Sequence, residues 1–239
     1  MSSALLLLAD GRFPAGGHAH SSGLEAAVAT GKVTTVSTLE SFLLGRLHSS
    51  GLVAAAFAAA AHTAALSPNA AAGTAGGEIL AEAGPGLLMR LDDEFEARVP
   101  SPAARAASRK QGAALLRAAR AVWPWEGFGL LPQRRDGAHH TVVLGVSAAA
   151  AGLTCGEAAL VACYSPLTGQ ASAALRLLGF SPYDIQRLLA SLAPQCDAVA
   201  MAATAFAGKD PADLPMFSSP LADISAEIHA TWEVRLFAS

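Results

Sequence analysis

Apolar positions recur at helical spacing along most of the chain, and no extended stretch alternates apolar with polar residues as a strand would. In the region 35–66, for example, Leu39, Phe42, Leu43 and Leu47 follow a near-helical spacing. Alanine and leucine dominate such segments, while β-branched and aromatic residues are few. Because alanine and leucine lose little side-chain entropy in a helix, the pattern predicts an all-α protein.

Glycine and proline mark the ends of the predicted helices, and Ser101 is well placed to cap a helix whose first turn holds Pro102. We predict helices over 3–9, 20–30, 35–66, 78–98 with a bend at Gly84–Gly86, 102–122, 140–151, 154–178, 182–207 and 220–236. The connections 67–77 and 123–139 are too short to be clear linkers, and no repeat of fixed period is visible. We therefore predict one all-α domain over residues 1–239, a bundle of roughly eight to ten helices.

The composition is unusually apolar for a globular chain. Hydrophobic residues make up 52% and charged residues 15%, against roughly 45–50% and 25% in an average domain. Too few charges remain to cover the surface, which favours a large apolar partner interface. The net charge of -3 lacks the basic footprint of a nucleic-acid binder.

Neither a membrane span nor a signal peptide is predicted. The longest apolar run, Leu52–Ala61, is alanine-rich and shorter than the ~20 residues that a membrane helix needs, so we expect a buried helix. The N-terminal apolar run has no basic region before it and ends at Asp10. Three sparse cysteines are typical of reduced thiols, and these features together favour a cytoplasmic protein.

The sequence lacks the motifs of common catalytic and metal sites. Gly31-Lys32 has no P-loop around it, and Gly145-Val146-Ser147 runs into alanines instead of forming a nucleophile elbow. His139 and His140 are adjacent, so they point about 100° apart on a helix. Cys155 and Cys163 are about two turns apart, too far to share a zinc ion, and are expected to be buried apolar thiols. We predict no catalytic residue, no cofactor and no metal site.

The segment before the second predicted helix combines a turn with polar side chains. Phe13-Pro14 is followed by Gly16 and Gly17, which permit left-handed backbone conformations. Ser22 and Glu25 have the spacing of a capping box, which predicts a capped helix start. His18, His20 and Glu25 offer an alternative, because two imidazoles and a carboxylate suit nickel or zinc.

The run 8–25 resembles the N-terminal signature of the urease accessory protein UreF family, with its Phe-Pro-x-Gly turn and its His-Ser-x-Gly-Leu-Glu segment. Gly11 replaces a usual serine and His18 a usual aromatic residue. Four further segments match the family in order, each weak alone but specific together. They are 105–116 with Ala107-Ser108-Arg109-Lys110-Gln111-Gly112, 140–145, 172–177, and the C-terminal 219–239 with His229.

The resemblance implies an all-helical, homodimeric, cytoplasmic scaffold that is not an enzyme. Family members bind UreD (also called UreH), recruit the nickel-carrying GTPase UreG and control its GTP hydrolysis while nickel enters apo-urease. We take the matched motif residues as candidate partner-binding positions: Phe13, Pro14, Gly16, His20, Ser21, Gly23, Glu25, Arg176, His229, Arg235, Leu236 and Phe237. The alternative is a nickel-binding metallochaperone that uses His18, His20 and Glu25.

Three questions stay open at the level of sequence. The C-terminal segment offers Trp232, Leu236 and Phe237 either as anchors in a partner's groove or as packing on the chain's own core. Arg176 lies in an apolar helix and needs an acceptor, either within the chain or on a partner. Arg109 and Lys110 are expected on a solvated helix face, with an arginine-finger role as the alternative.

Overall fold

A computed structural model describes residues 3–15, 21–67, 85–233 and 236–237. Within these ranges the chain is helical and contains no strand, which confirms the predicted all-α class. The α-helices are α1 (Ser3–Ala9), α2 (Leu24–Ala29), α3 (Val36–Arg46), α4 (Leu52–Leu66), α5 (Pro85–Arg98), α6 (Pro102–Val122), α7 (His140–Ala150), α8 (Cys155–Leu178), α9 (Pro182–Thr204) and α10 (Pro220–Ala230). Two 3₁₀ turns, Glu126–Leu130 and Pro211–Asp213, lie in the connections.

Helix α4 forms the centre of the core. It packs against α7, α8 and α9, and its alanines and Phe57 are almost all buried. Small side chains on a central helix let its neighbours approach closely, which explains how an alanine-rich chain builds a dense interior. A π-helical turn, Leu47–Gly51, joins α3 to α4 without a break.

The joined helix Val36–Leu66 is longer than the apolar run alone suggested. By length and composition it could cross a membrane, yet 61% of its most apolar window is buried inside the protein. This agrees with the expectation of a buried helix at Leu52–Ala61. Core helices pass the same test of length and hydropathy as membrane helices.

Most predicted boundaries are close to the observed ones, and the exceptions are informative. Ser101 accepts a hydrogen bond from the Ala104 amide and Pro102 opens α6, both as predicted. The last helix ends at Ala230 instead of 236, because the chain turns there and returns to the N-terminal region. The expected bend at Gly84–Gly86 lies partly outside the described residues, and α5 begins at Pro85.

The cysteines match the expectation of buried thiols only in part. Cys163 is buried as predicted, whereas Cys155 is half-exposed. The Cys163 sulfur lies 3.3 Å from the Cys196 sulfur, which α9 supplies. This hydrogen bond, together with burial, raises the pKa of the Cys163 thiol. Both cysteines behave as packed core residues between α8 and α9.

Candidate functional site

Helix α2 begins in a way that the sequence did not predict. Ser22 and Gly23 both adopt positive φ, at 49° and 87°, and Gly23 occupies the N-cap position without a side-chain cap. A Cβ on Gly23 would approach the Ala222 carbonyl oxygen of α10 to 3.3 Å. The predicted Ser22–Glu25 capping box is therefore wrong. The left-handed turn instead lets α2 lie directly against α10.

The Glu25 carboxylate is turned toward the C-terminal segment. It accepts hydrogen bonds from the His229 Nε2 atom at 2.8 Å, the Leu236 amide at 2.9 Å and the Phe237 amide at 3.1 Å. Glu25 and His229 are only 7% and 2% exposed. A buried carboxylate requires such donors, and here they come from more than 200 residues away along the chain. We call Glu25, His229, Leu236 and Phe237 the terminal clasp.

Aromatic contacts complete the terminal clasp. The Phe237 side chain is buried, and the Arg176 guanidinium of α8 lies 5.8 Å from its ring centroid. Trp232 meets the His229 ring edge to face at 5.1 Å. Phe237 thus packs on the chain's own core. Arg176 is exposed to solvent, and its guanidinium makes a cation–π contact with the Phe237 ring. The sequence had left an internal and an external role open for both residues.

Helix α10 presents an apolar face to the outside beside this clasp. Leu221, Ile224 and Ile228 are 65%, 56% and 45% exposed. They are spaced at i, i+3 and i+7, so they form one stripe along the helix. Leu236 of the clasp is also exposed. A contiguous apolar stripe of this kind marks an interaction site. We call these four residues the apolar face.

Helix α10 is held in place from its other side. The Glu227 carboxylate accepts hydrogen bonds from the Ser101 hydroxyl and the Ala103 amide at the start of α6. These bonds lower the pKa of Glu227. Together with Glu25, this contact fixes the orientation of α10 and keeps its apolar stripe directed away from the core.

The remaining predicted partner-binding residues are placed as follows. Phe13 is buried and stacks on Trp123 with ring centroids 5.6 Å apart, so it anchors the N-terminal turn, while Pro14 is exposed. Ser21 is buried and its backbone oxygen accepts from the Leu24 amide at 3.1 Å. Gly16, His20 and Arg235 lie outside the described residues.

A second polar cluster joins α5, α6 and the start of α7. Arg109 is buried and forms ion pairs with Asp92 at 3.1 Å, Glu96 at 2.6 Å and Asp136 at 3.2 Å. The expectation of a solvated Arg109 is wrong, although Lys110 is exposed as predicted. Arg109 faces inward because two of its acceptors, Asp92 and Glu96, lie on the neighbouring helix α5. An arginine that is held in this way has no free guanidinium edge for a finger role.

His139 is the last member of this cluster. His139 is fully buried, its Nε2 atom lies 2.6 Å from a Glu96 oxygen, and its Nδ1 atom lies 3.0 Å from the Ser108 hydroxyl. Burial lowers the pKa of His139, which keeps the ring neutral. Burial alone would raise the pKa of Glu96, but hydrogen bonds from Arg109 and His139 outweigh it and lower that pKa. We call Asp92, Glu96, Ser108, Arg109 and His139 the buried ion network.

Residue 112 is a glycine because the backbone at Ala138 lies very close to it. A Cβ on Gly112 would lie 2.1 Å from the Ala138 carbonyl oxygen. The loop before α7 can therefore pack on α6 only if residue 112 has no side chain. The segments 105–116 and 140–145, which matched the family separately in sequence, pack together in the structure.

Sequence reasoning missed Asp92 and Glu96 as parts of a site. They lie 17 and 13 residues from Arg109 on the preceding helix, and no local motif joins them to it. Across the described part of the chain, no three or more His, Cys, Asp or Glu side chains are grouped to hold a metal ion. The contacts of the two clusters position their elements: one fastens three helices, and the other fixes the C-terminal segment beside an apolar stripe.

Known proteins are similar to this chain over nearly its whole length. A family model described as UreF matches residues 33–193. The urease accessory protein UreF of Mycobacterium sp. (strain JLS) is 44% identical over 238 residues, which cover 98% of this chain and 97% of the relative. The protein of the same name from Mycolicibacterium vanbaalenii is also 44% identical, with the same coverage of both chains. That from Mycobacterium tuberculosis (strain H37Rv) is 40% identical, with the same coverage.

Proposed function

The chain belongs to the UreF family of urease accessory proteins, and we propose that it supports urease maturation as a scaffold without catalytic activity of its own. In this role it binds UreD (UreH) and the GTPase UreG while nickel is inserted into apo-urease. It also controls when UreG hydrolyses GTP. A role in urease maturation follows from the family, whereas the partners and the control of the GTPase are the proposal.

The observation that carries the proposal is the apolar face of α10 beside the terminal clasp. An exposed apolar helical stripe suits helix-in-groove recognition, in which residues at i, i+3 and i+7 enter a partner's groove. Leu221, Ile224 and Ile228 have this spacing and are exposed. We assign this face to UreD, and UreG then joins the composite surface of the two proteins.

The terminal clasp supports the same assignment. A docking helix loses less conformational entropy on binding when its orientation is already fixed. Glu25 supplies that fixation by holding His229 and the amides of Leu236 and Phe237. The family signature around Glu25 and the C-terminal motif thus meet at one surface. Glu25 is a positioning residue for α10 and the C-terminal segment. Glu25, His229 and Phe237 are buried, so they present the surface more than they touch the partner, whereas Leu236 is exposed on that surface.

The test is assembly with purified partners under reducing conditions. We expect the full chain to co-elute with UreD on size exclusion, and the pair to retain UreG in the presence of GTP and magnesium. The rate of GTP hydrolysis by UreG is then compared with and without the pair. Failure of the chain to bind UreD, or an unchanged hydrolysis rate in a complex that does form, would remove the basis of the proposal.

Two further properties belong to the proposal. We infer that the chain works in the cytoplasm and that two copies associate, as the family resemblance implies. Light scattering coupled to size exclusion measures the second property directly. A mass of twice 24.1 kDa is expected for the isolated chain, and a mass of one chain at all concentrations would contradict it.

The alternative of a nickel metallochaperone remains a hypothesis that no observation favours. His18 and His20 lie outside the described residues, and the Glu25 carboxylate is already engaged by three donors. Using Glu25 as a metal ligand would therefore release the C-terminal segment. Equilibrium dialysis decides the matter, because micromolar nickel binding that is lost in a His18→Ala, His20→Ala double variant would favour this alternative.

A further inference from the structure

A cavity of about 230 Å³ lies between the core and α10. One wall comes from residues 217–229, which include most of α10, and the others come from α3 to α8. Most of its lining is apolar, with Leu43, Leu47, Phe95, Leu144 and Leu167 among the side chains. Sites for drug-sized ligands usually enclose ~300–1,000 Å³, so this cavity suits a guest of only a few heavy atoms.

Two opposite charges line this cavity without a hydrogen-bond partner. Among the described residues, no hydrogen bond or ion pair engages the guanidinium of Arg46, which ends α3. The Oδ2 atom of Asp223 in α10 is buried and accepts no hydrogen bond. Arg46 is partly exposed, whereas the buried Asp223 oxygen is costly to leave unsatisfied and calls for an explanation.

The surroundings shift the pKa of both Arg46 and Asp223. Burial lowers the pKa of Arg46, and the nearby Asp223 offsets part of that effect. Burial raises the pKa of Asp223, and Arg46 again opposes it. Arg46 and Asp223 therefore attract each other, yet no ion pair joins them, and both line the cavity, so a group held there can bridge them.

Most other charged atoms near the cavity are engaged, although the buried Nε atom of Arg98 has no hydrogen-bond partner. The two terminal nitrogens of Arg98 donate to Glu94 and to backbone oxygens of the 211–214 segment. Glu227, which faces Asp223 from the same helix, accepts from Ser101 and Ala103. An isolated anion would satisfy Arg46 but leave Asp223 without a donor, and an isolated cation would do the reverse. The guest must carry both an acceptor and a donor.

We propose that this cavity binds a small zwitterion of the α-amino-acid class, with its carboxylate on Arg46, its ammonium group on Asp223 and an apolar side chain among the leucines. A zwitterion matches the two wall charges at no net charge, and an aliphatic side chain matches the rest of the lining. This site goes beyond the proposed scaffold function. Its test uses no partner protein, so the two proposals fail independently.

The experiment is calorimetric titration of the full chain with leucine and three analogues of similar size. The analogues are 4-methylpentanoate, which lacks the ammonium group, 3-methylbutylamine, which lacks the carboxylate, and the neutral amide 4-methylpentanamide. Leucine is expected to bind about tenfold or more tightly than each analogue, because each lost charge-assisted hydrogen bond leaves a wall charge unpaired. Equal binding of the amide would overturn the zwitterion assignment, and equal binding of a singly charged analogue would overturn the role of the opposite wall charge.

Variants locate the binding in this cavity. Arg46→Gln and Asp223→Asn are each expected to weaken leucine binding by about tenfold or more. The matched control is Arg187→Gln in the exposed Arg187–Asp184 pair of α9, which is expected to bind leucine normally. Circular dichroism checks the fold of each variant, and a crystal structure of the unaltered chain with leucine covers the case in which a variant does not fold. Only water between Arg46 and Asp223 in that crystal, or full leucine affinity in folded Arg46→Gln and Asp223→Asn, would overturn the proposal.

Discussion

The protein contains two carboxylate–histidine pairs, each with a buried histidine, and the pairs serve different purposes. Glu96 and His139 lie in the buried ion network, where Arg109 and Asp92 surround them and three helices meet. Glu25 and His229 lie in the terminal clasp, where the remaining donors are two backbone amides of the C-terminal segment. Family segments contribute to both: the segment 105–116 supplies Ser108 and Arg109 to the network, and the segments 8–25 and 219–239 supply the clasp.

The difference between the two clusters is what lies next to them. The buried ion network has core on most sides, so its loss should cost stability. The terminal clasp lies beside the apolar face of α10, so its loss should cost the shape of a docking surface. Similar chemistry therefore indicates different roles, and only the surroundings of each pair distinguish a structural site from a functional one.

The largest effect is expected from removing Arg109. Arg109→Ala removes one of the two arginines that pair with the fully buried Asp92, the other being Arg134. Breaking a buried ion pair from one side destabilises proteins by ~3–5 kcal/mol. Urea unfolding measures this loss. The matched control is Lys110→Ala on the exposed neighbour, which should stay within about 0.5 kcal/mol of the unaltered chain. Equal effects of the two variants would contradict the buried network.

A smaller loss is expected from Glu25→Gln in the terminal clasp. The amide cannot accept from all three donors, and leaving a buried donor unsatisfied costs ~1–3 kcal/mol. Hydrogen exchange of the Leu236 and Phe237 amides should become faster, because both donate to Glu25. The control is Glu40→Gln in α3, a glutamate outside the clasp. Unchanged exchange at both amides would show that Glu25 does not hold the C-terminal segment.

Gly23→Ala should destabilise the chain by about 1 kcal/mol, since alanine is strained at positive φ. The added methyl group also comes within 3.3 Å of the Ala222 carbonyl oxygen, so α10 must shift slightly. Gly11→Ala is the control, because nothing lies within 4 Å of a Cβ at that position. Thermal unfolding compares the two. A Gly23→Ala variant as stable as Gly11→Ala would argue against the close contact of α2 and α10.

The smallest effect is a pH dependence that belongs to the buried ion network. His139 has a pKa below its ordinary value of 6.5 in the folded chain, so the unfolded chain binds the proton first as the pH falls. The free energy of unfolding should therefore decrease below about pH 6.5, by at most about 1.4 kcal/mol per pH unit for this proton. Glu96 adds a further decrease below its ordinary 4.5, because its folded pKa is also lowered.

Urea unfolding at a series of pH values checks this dependence. In a His139→Gln variant the slope near pH 6 should become shallower, whereas it should persist in His48→Gln, since His48 is exposed. A slope that does not change in His139→Gln would assign the pH dependence to other groups.

Local signals predicted the helices well and the sites only in part. Ser101 and Pro102 begin α6 as expected, because capping depends on neighbours three residues away. Glu25 has capping-box spacing from Ser22, yet its carboxylate bonds to residues 204 to 212 positions later. Arg109 was expected in solvent because its acceptors lie on another helix. Side chains whose partners are distant in sequence cannot be assigned before the fold brings them together.

The central claim is that the apolar face of α10, held by the terminal clasp, binds UreD. The most direct measurement is the affinity of the full chain for UreD with Ile224→Asp on that face and Met201→Asp on α9 as the matched control. Both residues are highly exposed, at 56% and 73%, so neither change should affect folding much. Ile224→Asp is expected to weaken binding by about 2 kcal/mol or more, as at an interface hot spot, while Met201→Asp binds normally. Unchanged affinity in a folded Ile224→Asp variant would contradict the account.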